Sequence, residues 1–115
     1  MKTRNYSDHA LLQTKIAILR DKKTPSAEFV RTLNEISIIL CALVSAETEV
    51  VRTTVMTPLM RTAAHKQKRP VIFVPILRAG LGMLGGFLTL MPHAAVGHVG
   101  VERDHKTLKP RFYYY

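Results

Sequence analysis

Apolar residues recur with helical spacing in the first third of the chain. Between His9 and Arg20, three apolar residues share one helical face: Leu12, Ile16 and Leu19. After Thr24-Pro25, a longer stripe with alternating steps of four and three predicts a helix packed against a core or a partner. Its members are Phe29, Leu33, Ile36, Leu40 and Leu43. A coiled-coil seam is the less favoured alternative, because the stripe spans under three heptads. Thr24 is predicted to cap this helix, with Pro25 at its first position.

The pattern changes to β-branched residues from Glu49 to Met56, which predicts a strand ended by Thr57-Pro58. The polar, basic stretch 61–69 is then either the returning strand of an arm or a loop. Its basic cluster predicts a solvated face, with a nucleic-acid-binding patch as the alternative. That alternative is less favoured because no aromatic residues are interleaved to stack bases. The cluster comprises His65, Lys66, Lys68 and Arg69.

An apolar run from Val71 to Leu77 ends in a single arginine, Arg78, which Gly80 and Gly82 follow. A short apolar run bounded by glycines predicts a strand buried on both faces, as in a parallel sheet. Pro75 is compatible with that prediction only near the end of the strand. The next apolar residues have helical spacing, and Pro92 is expected to end their helix. They are Leu84, Phe87, Leu88 and Met91.

A second apolar strand, Ala94 to Val101, completes a βαβ unit. His98 inside it is expected to be a hydrogen-bonded core residue. Arg103 follows this strand as Arg78 follows the first, so the two arginines are expected at one sheet edge, straddling a polyanion. The glycine turn and the N–H groups at the helix N-terminus suit phosphate or diphosphate. An ordinary βα turn with a solvated arginine is the alternative.

Composition narrows the class of protein. At 115 residues the chain forms at most one small domain, and 47% apolar residues are enough for a core. No apolar run is long enough for a bilayer and no signal-peptide pattern begins the chain, so we expect a cytoplasmic protein without a membrane partner. The lone Cys41 is expected to be a buried, inert thiol. A formal charge of +9 and a pI of about 10.1 imply an acidic partner, either nucleic acid or a phosphorylated small molecule.

Four segments together resemble the N-terminal half of uracil phosphoribosyltransferases: HALLQTKIAILRDKKTPSAEF, VPILRAGLGM, VGHVG and RDHKTLKP. The resemblance runs from about His9 to Tyr114. It implies an α/β fold in which N-terminal helices precede part of a type I phosphoribosyltransferase parallel sheet, an incomplete Rossmann-like βαβ arrangement. Residues 1–115 would form one partial domain, with a helical part at 9–46, a β-arm at 49–69 and the βαβ unit at 71–103. Since family members are roughly twice as long, the C-terminal half is expected to be absent.

The resemblance also implies a reaction. Family members join uracil to phosphoribosyl diphosphate, giving UMP and diphosphate with magnesium as cofactor, in pyrimidine salvage. By this resemblance, the residues expected to bind phosphoribosyl diphosphate are Arg78, Ala79, Gly80 and Arg103. Homo-oligomers and activation by GTP are further family features.

The resemblance further implies that this chain is inactive alone, because the family's Thr-Gly-Gly loop and uracil-recognition segment are not in this sequence. A neighbouring strand would also be missing beside Val71–Leu77, so the chain is not expected to be a stable monomer. Two alternatives stay open. One is a catalytically dead remnant, or an interaction module that pairs with full-length subunits. The other, less favoured, is a basic nucleic-acid-binding domain.

Overall fold

The structure, a computed structural model, describes residues 2–115. Three helices and seven short strands form a mixed α/β arrangement, which confirms the predicted fold class. In chain order they are α1 (Ala10–Arg20), α2 (Ser26–Ser45), β1 (Val50–Met56), β2 (Arg61–Gln67), β3 (Ile72–Phe73), β4 (Ile76–Leu77), α3 (Leu81–Leu90), β5 (Ala95–Val96), β6 (Val99–Arg103) and β7 (Pro110–Tyr114).

The two N-terminal helices form where the apolar stripes predict them, but the N-terminus of α2 is not capped as the sequence predicted. His9 caps α1 by accepting the Leu12 N–H on its imidazole Nδ1 at 3.3 Å. The prediction that Thr24 caps α2 is wrong, since Pro25 occupies the cap position and no side chain caps the helix. The Thr24 hydroxyl instead donates to the Ile18 carbonyl at 2.6 Å. It therefore satisfies a carbonyl left unpaired in the last turn of α1.

The core lies among the three helices, and the closest contact in it joins α2 to α3. Gly86 of α3 is buried, and a Cβ added there would lie 2.5 Å from the Cβ of Ser37 and 2.7 Å from the Asn34 carbonyl oxygen. Cys41 is 2% exposed and its thiol donates to the Phe87 carbonyl at 3.8 Å. Burial raises the pKa of this thiol, in keeping with the expected inert cysteine.

Strands β1 and β2 form an antiparallel two-stranded arm, with Val50 opposite Gln67 and Met56 opposite Arg61. Of the two alternatives for 61–69, the structure therefore has the returning strand. The arm's strands pack mainly on each other, and its turn exposes Leu59 almost fully, at 95%. The longest dimension of the molecule is 63 Å.

The stretch from Val71 to Leu77 pairs in parallel with 95–100, but one backbone hydrogen bond between them is missing. The carbonyls of Val71, Phe73 and Pro75 accept the N–H groups of Ala95, Gly97 and Val99 in turn. Pro75 has no N–H to donate back to the second strand, so the pairing divides into β3–β5 and β4–β6. The proline thus lies within the strand rather than at its exit, and it weakens the ladder without ending it.

The two faces of this sheet have different environments. Phe73 faces α3, where its ring meets Phe87 edge-on with centroids 5.2 Å apart. His98 is exposed between β5 and β6, so the prediction of a buried core histidine is wrong.

Strand β7, which the sequence pattern did not indicate, adds antiparallel to β6 at the far edge. Within residues 2–115, no helix combines the length and apolar character needed to cross a membrane.

The contact at Gly86 makes a testable prediction. Gly86→Ala should destabilise the fold by about 1–2 kcal/mol, because overpacking costs about 1–3 kcal/mol and the better helix propensity of alanine offsets up to about 1 kcal/mol. Urea unfolding followed by circular dichroism measures the change.

The matched control is Gly85→Ala, one residue away on the same helix. A Cβ at Gly85 meets only the flexible Asn34 side chain, at 3.6 Å. This variant should be neutral or more stable by up to about 1 kcal/mol. Equal effects of the two substitutions would contradict the proposed packing.

Candidate functional site

A tight turn links β4 to α3 at the carboxyl end of the strand. The Gly80 N–H donates to the Ile76 carbonyl at 2.8 Å, which brings the two backbones together. A Cβ on Gly80 would lie 2.6 Å from both the N and the O of Ile76, so only glycine fits here. The peptide bond between Leu77 and Arg78 is cis. Arg78 and Ala79 are both exposed.

The backbone donors available at this turn differ from the expected ones. The N–H groups of Leu81, Gly82 and Met83 each donate to a carbonyl of the turn, at 3.1 Å. The start of α3 therefore does not offer them to an anion, and that part of the expectation is wrong. Among residues 2–115, no carbonyl accepts the N–H groups of Arg78 and Ala79. These two amides are the free donors beside the Arg78 guanidinium.

Arg103 ends β6, next to a turn that a single carboxylate organises. The Oδ1 atom of Asp104 accepts the N–H of Lys106 at 2.9 Å and the N–H of Thr107 at 2.8 Å, and the Thr107 hydroxyl donates to it at 3.1 Å. These bonds hold the pKa of Asp104 below its ordinary value, with the Thr107 N–H as the largest cause. The sequence analysis missed this role of Asp104, although an aspartate before a short polar run is typical of such turns.

The structure brings the two arginines to one edge but not into one cavity. Leu77 pairs with Gly100, so Arg78 follows that pair by one residue and Arg103 by three. Within residues 2–115, neither guanidinium lies within 4.0 Å of a carboxylate. Arg78 borders a cavity of about 480 Å³ and Arg103 another of about 360 Å³, with Ile76 lining both. A ligand that touches both arginines would therefore lie across the strand end.

The cavity beside Arg78 is apolar over most of its surface. Phe73, Leu77, Met83 and Phe87 contribute to its lining. An interior of this kind does not suit diphosphate, since buried charge without partners is costly. Within the described lining of this cavity, the donors that an anion needs lie at the rim, on Arg78 and Ala79.

The acidic residues near the strand ends do not form a magnesium site by themselves. Glu102 pairs with Arg111 at 3.5 Å, and the Oδ1 atom of Asp104 already accepts three hydrogen bonds. In the part of the chain that the structure describes, no three His, Cys, Asp or Glu side chains cluster as metal ligands. The residues present therefore do not fit a metal held by the protein alone.

The basic cluster of the arm does not form a single face. His65 lies opposite Arg52 on one side of the ribbon and Lys66 opposite Val51 on the other. Glu49 pairs with Lys68 at 3.2 Å and lies 3.9 Å from Arg69. The positive charge is thus divided between two faces and partly neutralised.

A βαβ unit with a glycine turn and arginines at the carboxyl edge is typical of α/β proteins that bind ligands in the crevice at their strand ends. The model of the uracil phosphoribosyltransferase family matches residues 6–115. The chain therefore belongs to the uracil phosphoribosyltransferase family, and the resemblance seen in the sequence is confirmed.

Individual relatives agree with that assignment. The chain is 39% identical over 107 residues to the uracil phosphoribosyltransferase of Acholeplasma laidlawii, covering 93% of this chain and 51% of that relative. It is 46% identical over 110 residues to the enzyme of Rhizobium rhizogenes, covering 94% and 52%. The structure of the AQ2163 protein from Aquifex aeolicus superposes with a TM-score of 0.84 at 31% identity, covering 92% of this chain and 51% of that one. The chain thus spans about half the length of the relatives it matches.

The Asp104 turn makes a prediction about pH. Because the folded-state pKa is lowered, the carboxylate stabilises the turn above its ordinary pKa of about 3.9, and this contribution is lost as pH falls through the lower folded value. NMR titration should show Asp104 titrating below that ordinary value, with the Lys106 and Thr107 amide shifts following it.

The Asp104→Ala variant should lose this titration and broaden or shift the amide signals of the turn. Asp21→Ala, which alters a different exposed turn, is the matched control and should leave residues 104–109 unchanged. Titration of Asp104 at its ordinary pKa would contradict the hydrogen-bonded turn.

Proposed function

We propose that this chain supplies the phosphoribosyl diphosphate side of a uracil phosphoribosyltransferase site. The observation that supports the proposal most directly is the turn at Arg78, where a guanidinium and two free backbone N–H groups lie together at the carboxyl end of β4. Arg103 ends the adjacent parallel strand. The family assignment supplies the substrates, uracil and phosphoribosyl diphosphate.

The proposed reaction moves a ribosyl group between two partners. The bond from ribose C1 to a diphosphate oxygen breaks, and its electron pair leaves with the diphosphate. A new bond forms from that carbon to N1 of uracil, which loses its proton. Arg78 and Arg103 would stabilise charge developing on the diphosphate, because a guanidinium stays charged and its planar fork matches phosphate oxygens.

Magnesium enters this proposal as part of the substrate. The family resemblance implies it, and Mg²⁺ usually binds substrate phosphates and water with few protein ligands. Since Glu102 and Asp104 are engaged elsewhere, the diphosphate oxygens would carry most of its coordination. The residues of this chain then act on the diphosphate rather than on the metal.

The proposal predicts weak diphosphate binding that depends on both arginines. A few exposed charge-assisted contacts suit a Kd in roughly the millimolar range. Arg78→Ala and Arg103→Ala should each weaken binding about three- to tenfold. Titration calorimetry of the 115-residue chain at low salt measures this.

The matched control is Arg52→Ala, which removes the same charge from the exposed arm. It should leave diphosphate affinity nearly unchanged. If all three substitutions have equal effects, the affinity comes only from the formal charge of +9, and the site assignment is wrong.

We also predict that the purified 115-residue chain makes no UMP from uracil and phosphoribosyl diphosphate. Its two arginines border separate cavities, and the chain matches only about half of each relative. A radiolabelled uracil assay measures the product. UMP formation that Arg78→Ala abolishes would overturn this prediction.

A further inference from the structure

Strands β4, β6 and β7 meet in one row, just before the two arginines of the candidate site. Gly100 of β6 pairs with Leu77 of β4 on one side and with Tyr114 of β7 on the other. Past this row β4 ends and the chain continues into Arg78, whereas β6 and β7 continue side by side as far as Arg103. The parallel pairing of β4 with β6 therefore stops at Gly100, one residue before one arginine and three before the other.

The segment beyond that row, residues 101–112, is a hairpin held together by its own contacts, and we call it the edge hairpin. Glu102 forms an ion pair with Arg111 across its two strands at 3.5 Å. At its turn the Asp104 N–H donates to the Lys109 carbonyl at 2.9 Å. Because these contacts lie within the hairpin, they do not fix its direction relative to β4. That direction is set where the hairpin leaves the sheet.

A β-bulge lies at that point. The register of the edge hairpin is regular as far as Val101 opposite Phe112, but the next residue, Gly100, lies opposite Tyr114. Tyr113 is therefore the extra residue of the longer strand. A bulge bends its strand, increases the local twist and can re-aim a side chain. The bend between the three-stranded row and the edge hairpin thus depends on how the extra residue is held.

The Tyr113 ring occupies the space where a side chain at position 100 would lie. A Cβ on Gly100 would be 2.6 Å from Cε2, 2.7 Å from Cζ and 2.9 Å from Cδ2 of this ring. The ring and a side chain at position 100 therefore exclude each other. Gly100 is buried although it has no side chain of its own. The bulge, the glycine and the ring form one packed unit at the base of the edge hairpin.

We propose that Tyr113 is a positioning residue, which fixes the direction of the edge hairpin and so places Arg103 relative to Arg78. Its ring packs on Gly100, in the row that joins all three strands, and thereby holds the bulge in one arrangement. Two guanidinium groups bind one diphosphate well only when their spacing matches it, because misplacement by about 1 Å is enough to weaken oriented contacts strongly. The assignment rests on the proposed function for its ligand, but the role of Tyr113 in the hairpin rests on contacts within the chain.

The first measurement is the direction of the edge hairpin in the ligand-free 115-residue chain. Residual dipolar couplings of backbone amides, measured by NMR, give the orientation of 101–112 relative to α2 and α3. In Tyr113→Ala the couplings of the hairpin should no longer fit the parent orientation, while those of the two helices stay unchanged. Tyr113→Phe keeps the ring and should keep the parent orientation. Gly100→Ala should behave like Tyr113→Ala, since the 46% exposed ring can swing away from the added methyl group.

The second measurement separates positioning from a general loss of folded protein. Diphosphate can engage both arginines at once, whereas inorganic phosphate needs only one of them. In titration calorimetry, Tyr113→Ala should weaken diphosphate binding by about threefold or more and leave phosphate binding nearly unchanged. A loss of folded protein would reduce binding of both anions equally. Tyr113→Phe should restore the parent ratio of the two affinities.

Two further variants complete the test. Tyr114→Ala removes a neighbouring ring, 56% exposed, that is not the bulge residue. It is the matched control and should leave the ratio of the two affinities unchanged. In a chain that already carries Arg103→Ala, Tyr113→Ala should not weaken diphosphate binding further, because the group that it positions is gone.

Three results would contradict the proposal: unchanged hairpin couplings in Tyr113→Ala, equal losses of affinity for the two anions, or a full effect of Tyr113→Ala without the Arg103 side chain. Failure of the proposed function looks different. In that case diphosphate binding by the parent chain would depend on neither arginine. The hairpin couplings would then still decide whether Tyr113 fixes the edge hairpin.

Discussion

The close approach of α3 to α2 at Gly86 is the constraint on which the rest of the structure depends. A Cβ there would overlap both a side chain and the backbone of α2, so the two helices can pack at this distance only through glycine. The same contact brings Cys41 against the Phe87 carbonyl. Phe87 then meets Phe73, which couples the helical core to the sheet. The position of the strand end therefore follows from helix packing.

Two backbone details at that strand end determine what the candidate site offers. Pro75 removes one hydrogen bond between the parallel strands but leaves the direction of the strand unchanged. Gly80 lets the chain approach Ile76 closely, and the first N–H groups of α3 donate to carbonyls of this turn. The donors that this strand end offers to an anion are then the amides of Arg78 and Ala79 and the two guanidinium groups. The chemistry lies at a rim, above an apolar cavity.

The same sheet that presents the arginines is also left half covered. One face packs on α3, whereas the other exposes Ile72, Val74 and Ile76 beside an unpaired edge. The candidate anion site at Arg78 and this exposed apolar face are therefore adjoining parts of one surface.

Periodicity and local motifs were enough to predict the helices, the first strand of the arm, the strand–turn–helix at Arg78 and the family, because these signals depend on residues that are neighbours in the chain. They left the second strand of the arm open. Tertiary structure decided the rest. The Thr24 hydroxyl donates to a carbonyl of α1 instead of capping α2. His98 is exposed, although the apolar pattern around it predicted burial. The pattern also could not show that Arg78 and Arg103 border different cavities, or that the amides of α3 are already bonded. Each of these depends on which groups meet across space, and residue spacing along one chain does not encode that.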